Sequence, residues 1–281
     1  MEEKKLEAKK GLTGFQIKLI AMILMVFDHI HAYLNYNKNI PIQFKWVGRI
    51  VAPLFIFMTV EGYYHTRNKK KYMIRLYIAQ LIMSIGNNFL DKFFPRPDGV
   101  MLISSMFKTL FLIVVYLSIV DFLRDAFKDK NISKVLLGIG FLTIPILLSF
   151  VIMINISNLP ILFIRIFMLL VPMPLFVEGG IVFIAIGIVL YLFRDNKTKQ
   201  VISYIIMSIV IMLSSGNFSV QSLLYTNFQW MMIFAAPLMY LYNGEKGRGM
   251  KYLFYIFYPA HIYLFHMICL LYTSPSPRDT E

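Results

Sequence analysis

Asp28 and His29 stand side by side after the apolar run Met22 to Phe27, and Arg49, Glu61 and His261 stand inside two further runs of that kind. Lipid makes an ionisable group expensive, so one placed at such depth faces a partner or a water-filled cavity and marks a working site. These residue types suit proton transfer. An imidazole titrates near neutral pH, and a carboxylate can orient and charge it. Neighbours on a helix point about 100° apart, so Asp28 and His29 diverge, whereas Asp28 and His31 share a face. The competing reading is pure packing, with Asp28 salt-bridged to an arginine. Arg49 is placed for that role, since a hairpin brings it to the depth of Asp28.

The string Trp46-Val-Gly-Arg49 through Glu61-Gly-Tyr-Tyr-His65-Thr66-Arg67-Asn68 is the richest in polar groups. Glu61 and His65, four apart, stack on one helix face. The donors His65, Thr66, Arg67, Asn68 and Lys69, followed by Lys70 and Lys71, suit phosphate oxygens, to which Arg and Lys make charge-assisted bonds. The same lysines also serve as a plain topology signal. His261 follows Pro259, which frees a carbonyl and kinks a helix, and such kinks open space beside cavities in bundles. Its alternative is a structural bond to a neighbouring helix. Asn87, Asn88, Lys108, Asp121, Arg165 and Glu178 read as structural groups, Lys108 by snorkelling and Glu178 beside the close-approach pair Gly179-Gly180.

Membrane helices must hold these groups. Of the 281 residues, 58% are hydrophobic and only 15% charged, whereas a soluble chain carries about 25% charged. The expected fold is all-α, a polytopic transmembrane helical bundle of about nine spans, near 14–34, 47–64, 72–90, 102–123, 134–154, 177–193, 200–215, 228–242 and 252–271. Residues 1–268 read as a single integral-membrane domain. The formal charge of +13 is spread in short clusters between apolar runs, which is the positive-inside pattern and argues against nucleic acid as a partner. With the amino terminus cytoplasmic, the loops at 65–75, 124–134, 194–199 and 243–251 all face inward. Segment 157–176, with Arg165 and bracketing prolines, reads as a re-entrant or interfacial helix, because a full span there would invert the later loops. The expected location is a bacterial cytoplasmic (inner) membrane, entered without a cleavable signal peptide.

The lone Cys269 supports neither a disulfide nor a metal cage, and no metal site is expected. Residues 269–281, ending Ser-Pro-Ser-Pro-Arg-Asp-Thr-Glu, resemble the translation of a sequencing-library adapter, and this tail is expected to be non-native.

Asp28-His29, Gly48-Arg49-Ile-Val-Ala-Pro53-Leu-Phe55, Val60-Glu61-Gly62 with His65 to Asn68, Glu178-Gly179-Gly180 and Tyr258-Pro259-Ala-His261 occur in one order over residues 14–268. In that order they resemble the TraX family, integral-membrane proteins linked to amino-terminal acetylation of conjugative pilin. The resemblance implies an inner-membrane transferase that uses acetyl-CoA as co-substrate, distantly similar to membrane acyltransferases of cell-surface sugars. His31 in place of a small residue, and Ser105 with Lys108 in place of a more apolar stretch, depart from the family pattern and bear on the acceptor.

The expected function is therefore an acetyltransferase embedded in the lipid bilayer, with a pilin amino terminus or an envelope polysaccharide as acceptor. His65, Arg67 and Lys69 to Lys71 would hold the donor's phosphates, His29 or His261 would act as base with Asp28 orienting it, and Arg49 would hold Asp28 or polarise the thioester carbonyl. Two other classes compete. A proton- or ion-coupled transporter would use Asp28, Arg49, Glu61 and His261 as a relay, although no inverted repeat is apparent. A non-catalytic assembly subunit would need these residues for stability alone.

Overall fold

The computed structural model describes residues 10–35, 39–96, 99, 102, 105–214 and 216–273. Helix α1 (Gly14–Leu34) opens on a capping box, in which Thr13 and Gln16 satisfy each other's backbone N–H groups. Three later helices start on asparagine. Asn68, Asn131 and Asn196 accept from the N–H groups of Lys71, Lys134 and Lys199 and so begin α4 (Lys69–Phe93), α6 (Ile132–Ile154) and α9 (Lys197–Leu213). Each such cap contributes about 1 kcal/mol and fixes where a chain leaving a charged loop enters its helix.

The span expected at 47–64 is two helices, α2 (Gln43–Gly48) and α3 (Val51–His65). Pro53 explains the joint, because it has no N–H to offer the carbonyl of Arg49 four residues earlier. α5 (Met106–Lys128) supplies much of the core, with Ile113, Val114 and Leu117 fully enclosed. α8 (Gly180–Leu192) starts only after Gly179 and Gly180, whose φ values of 71° and 55° suit glycine rather than a residue with a Cβ. The segment expected as 228–242 is a 3-10 helix, Phe228–Ala235, running into α10 (Ala236–Leu241). α11 (Lys251–Thr273) carries Pro259 inside it.

Among the described residues, five stretches are long and apolar enough to cross a bilayer: Gly14–Leu34, Gln43–His65, Met106–Lys128, Ile132–Ile154 and Tyr252–Leu271. This is fewer than the nine spans expected. α8 and the Phe228–Leu241 segment are apolar but shorter, α9 has 17 residues, and α4 carries Lys69 to Lys71, Arg75, Asp91 and Lys92. α7 (Ile161–Leu170), inside the ambiguous segment, has ten residues. It is about 15 Å long, half of what a crossing needs.

The helices are dressed for lipid. On α4, Ile74, Ile78, Ile82, Ile85 and Phe89 form an exposed apolar stripe, while Gln80, Ser84 and Asn87 are buried on the other side. That reverses the amphipathicity of a helix in water. α6 likewise exposes Leu136, Ile144, Leu147, Val151 and Ile154. Among the described residues no strand occurs, although backbone bonds tie the start of the chain to the loop before α11. Leu12 donates to the Leu241 carbonyl at 2.7 Å and Gly14 to that of Glu245 at 2.8 Å. This seam brings Lys246 over the first turns of α1. Residues 274–281, most of the expected non-native tail, lie outside the described residues, and Cys269 is buried in α11.

Candidate functional site

Two cavities lie end to end along the bundle. The first, of ≈ 560 Å³, occupies the end at which α1 begins, between the starts of α1, α4 and α11 and the end of α3. Lys18, His65, Arg75 and Lys246 line it with Glu61, and aromatic and methionine side chains make up most of the rest. Lys18 and Arg75 lie against the faces of Phe254 and Tyr72, at 5.3 and 5.9 Å, which keeps their charged heads over the cavity wall. Four basic groups around an elongated apolar slot suit a ligand with phosphates at one end and an uncharged arm.

The second cavity, of ≈ 660 Å³, is reached deeper along α1, and Met25, Phe55, Met106 and Tyr258 line both. Asp28, His29, Arg49, Arg96 and Glu178 line the second. Nη2 of Arg49 donates to both carboxylate oxygens of Asp28, at 3.2 and 3.4 Å. Its Nη1 donates to Oε1 of Gln229 at 3.3 Å and its Nε to the Lys45 carbonyl at 3.4 Å. Arg49 is thus a positive charge fixed on the cavity wall. Gly48 is required beside it, because a Cβ there would occupy the space of the Asp28 carboxylate.

His29 bonds across the bundle to His261, Nδ1 to Nε2 at 2.7 Å, and Nδ1 of His261 meets the Phe257 carbonyl at 2.7 Å. A carbonyl only accepts, so His261 carries its proton on Nδ1 and presents a lone pair at Nε2. His29 must then donate from Nδ1, which leaves its own Nε2 as the basic lone pair. The backbone of α11 therefore sets the tautomer of an imidazole on α1. This is the arrangement of a general base held by an orienting partner. Tyr258, beside them, accepts from the backbone N–H of Met106 at 2.9 Å, which fixes α5 against α11.

The expected residues sort into separate places. Asp28, His29 and Arg49 line the second cavity, and His261 meets His29 without being among its lining residues. Asp28 does not orient His29, however. The two diverge on α1, the carboxylate goes to Arg49, and the partner of His29 is His261. Glu61 does not join this group. It faces the first cavity and pairs with His65 at 3.5 Å. Of the expected phosphate ligands, His65 and Thr66 line that cavity. Arg67 is exposed and Asn68 is spent on its cap. Lys69 donates to Asp121 at 2.5 Å, and the same carboxylate accepts from Tyr63 and Tyr191. Lys18, Arg75 and Lys246, which the sequence reading did not single out as ligands, line the first cavity as well. Glu178, read from sequence as structural, lies on the wall of the second cavity with Asp28.

The family profile described as TraX protein matches residues 13–269 of the chain. The chain belongs to the TraX family. The match takes in every residue of both cavities. A relative, the probable fimbrial assembly protein FimC, serogroup H1, of Dichelobacter nodosus, is 28% identical over 268 residues, covering 90% of this chain and 93% of its own. No solved structure matches. Membership of the TraX family thus rests on the match over residues 13–269, and fimbrial assembly is what the name of the Dichelobacter relative states of that protein.

Proposed function

We propose that this TraX chain is an acetyltransferase of the inner membrane, moving acetyl from acetyl-CoA to an amine or hydroxyl acceptor of the envelope or its fimbriae. The hydrogen-bonded series His29, His261 and the Phe257 carbonyl carries this reading, because it leaves a basic Nε2 on a residue of the second chamber, which adjoins the basic cavity through Met25, Phe55, Met106 and Tyr258. In this account the amino terminus is cytoplasmic, about nine segments cross the membrane, and the first cavity opens to the cytosol.

Bound acetyl-CoA would supply the acetyl group as an activated thioester. Lys18, Arg75 and Lys246 would pair with its phosphates, and the apolar walls at Met22, Met58 and Phe254 would take its uncharged arm. The acceptor, in the second cavity, gives its N–H or O–H proton to Nε2 of His29 while its nitrogen or oxygen forms the new bond to the acetyl carbon. The C–S bond breaks in the same exchange, and the proton passes from His29 to the departing thiolate. His261 receives part of the imidazolium charge through the 2.7 Å bond and the Phe257 carbonyl stabilises it. Arg49, held on three sides, has further N–H groups for the oxygen of the reacting carbonyl, where fixed positive charge lowers the barrier.

The test is transfer of label from acetyl-CoA, carrying radioactive acetyl, in membranes that contain the full chain. Label should appear in envelope material and be absent from membranes without the chain. Label that stays on acetyl-CoA with every envelope fraction would refute the enzyme. Two cavities in series also suit a conduction path, and proton or ion flux in proteoliposomes without acetyl-CoA would favour the transporter.

A further inference from the structure

The chamber that holds His29 contains a second carboxylate, which the transfer proposed above does not use. Glu178 lines it and is exposed there. Among the described residues, its carboxylate enters no hydrogen bond or ion pair. Arg49 attracts it across the chamber, but Arg49 is bonded to Asp28, Gln229 and the Lys45 carbonyl. A carboxylate open to a chamber, with no cation in contact, draws a cationic ligand.

The backbone holds this side chain on the wall. The Glu178 carbonyl accepts from Oγ1 of the fully buried Thr109 at 2.8 Å, which ties it to α5. Gly179 and Gly180 follow with φ of 71° and 55°, the left-handed region that glycine adopts without strain. A Cβ on Gly179 would also fall on the Phe183 ring. The charged and titratable groups around the chamber are Asp28, His29 and Tyr33 of α1, Arg49, Arg96 and Tyr258, with His261 behind His29. Asp28 is given to Arg49, and His29 has a single lone pair to offer. One base thus stands at His29, whereas a protonated amine has two protons to lose before it becomes an amide.

We infer that Glu178 is a further catalytic residue, which binds the ammonium of an amine acceptor and takes the first of its two protons, leaving the second to His29. The proton role rests on the acetyl transfer proposed above; the ammonium site stands on the free carboxylate. The acceptor enters as an ammonium, and one N–H bond breaks toward Glu178. Away from bulk water the neutral pair competes with the charged one, because both charged forms lose hydration. The freed lone pair forms the N–C bond to the acetyl carbon while the C–S bond breaks. The second proton goes to Nε2 of His29 and from there to the thiolate. Glu178 returns its proton to water when the amide leaves. One proton is released per turnover, as conversion of an ammonium and a thioester into an amide and a thiol requires. A hydroxyl acceptor has one proton to give and leaves Glu178 without a task.

Binding is measured first, by thermophoresis of the full chain in detergent without acetyl-CoA. The probes are a short peptide with a free amino terminus and the same peptide with a hydroxyl in place of that amine. The wild type should bind the amine peptide about tenfold more tightly, the effect of one charge-assisted bond, and Glu178→Gln should bind both alike. Equal binding by the wild type, a result that needs no variant to fold, overturns the ammonium site. So does an undiminished preference in Glu178→Gln. Transfer of labelled acetyl to the amine peptide then tests the proton. An α-amino group has a pKa of about 8, so about a tenth of it is free base at pH 7. Glu178→Gln, limited to that fraction, should be about tenfold slower than the wild type at pH 7 and approach it at pH 9. No deficit at pH 7, or the same deficit at both pH values, overturns the proton-accepting role, since a merely structural loss has no such dependence. An amine preference abolished by Glu178→Gln, in a chain that never transfers acetyl, would sink the acetyltransferase and leave the ammonium site standing.

Discussion

Gly48→Ala is a small change with a large expected effect. The backbone at this position is ordinary helix, so alanine has no conformational penalty and would slightly favour the helix. The obstacle is a single side chain, because the new methyl would fall on Cγ and Oδ1 of Asp28. Either α1 and α2 separate or the carboxylate rotates away from Arg49, breaking bonds of 3.2 and 3.4 Å. Overpacking of this kind costs about 1–3 kcal/mol. The Asp28 and Arg49 side chains are 21% and 30% exposed, so solvent screens the ion pair and its loss adds only modestly. Thermal unfolding in detergent, followed by tryptophan fluorescence, should show a midpoint lower by several degrees, about 2–4 °C per kcal/mol for a chain of this size. The decisive comparison is a double-mutant cycle. In an Asp28→Gly background the space is vacant, and Gly48→Ala should then have almost no effect. An equal loss in both backgrounds would refute the steric reading of the Gly-Arg pair.

Asp121→Asn should loosen the junction of α3, α4, α5 and α8, because Tyr63, Tyr191 and Lys69 all donate to that carboxylate. A loss of about 1–3 kcal/mol is expected, measured as a lower unfolding midpoint, with acetyl-CoA affinity unchanged in the folded fraction. Lys18→Gln and Arg75→Gln should each weaken acetyl-CoA binding about tenfold in calorimetry, whereas Arg67→Gln should leave it untouched. The reverse order would return the phosphate site to the 65–71 loop. In a Cys269→Ser background, single cysteines at Arg67 and at Asn158 should be labelled by impermeant maleimide from opposite sides of sealed vesicles. Labelling from one side would overturn the orientation proposed for the bundle.

The sequence disclosed the membrane character and the expensive side chains, because a carboxylate or imidazole in an apolar run is visible without any fold. Asp28 with Arg49 was legible too, as a hairpin of two adjacent helices leaves them few other partners. His29 with His261 was not, since their pairing spans 232 positions and only the approach of α11 to α1 creates it. The residues expected to hold phosphate are scattered by the fold for a related reason. Lys69 and Asn68 are close in sequence to His65, but capping and the Asp121 junction consume them. Lys18, Arg75 and Lys246 come from three distant elements that meet through the seam between Leu12 and the loop before α11. The nine expected spans and the five long apolar helices differ where helices are short or charged, since a protein-enclosed segment need not carry the full apolar length that hydropathy counts.

Acetyl transfer by His29→Ala and His261→Gln tests the central claim most directly, assayed with labelled acetyl-CoA in membranes where both variants are present at wild-type level. Loss of the general base should lower the rate of His29→Ala by about 10²–10⁴-fold. His261→Gln should fall less, because its amide can still accept from Nδ1 of His29. Full activity in His29→Ala would contradict the account.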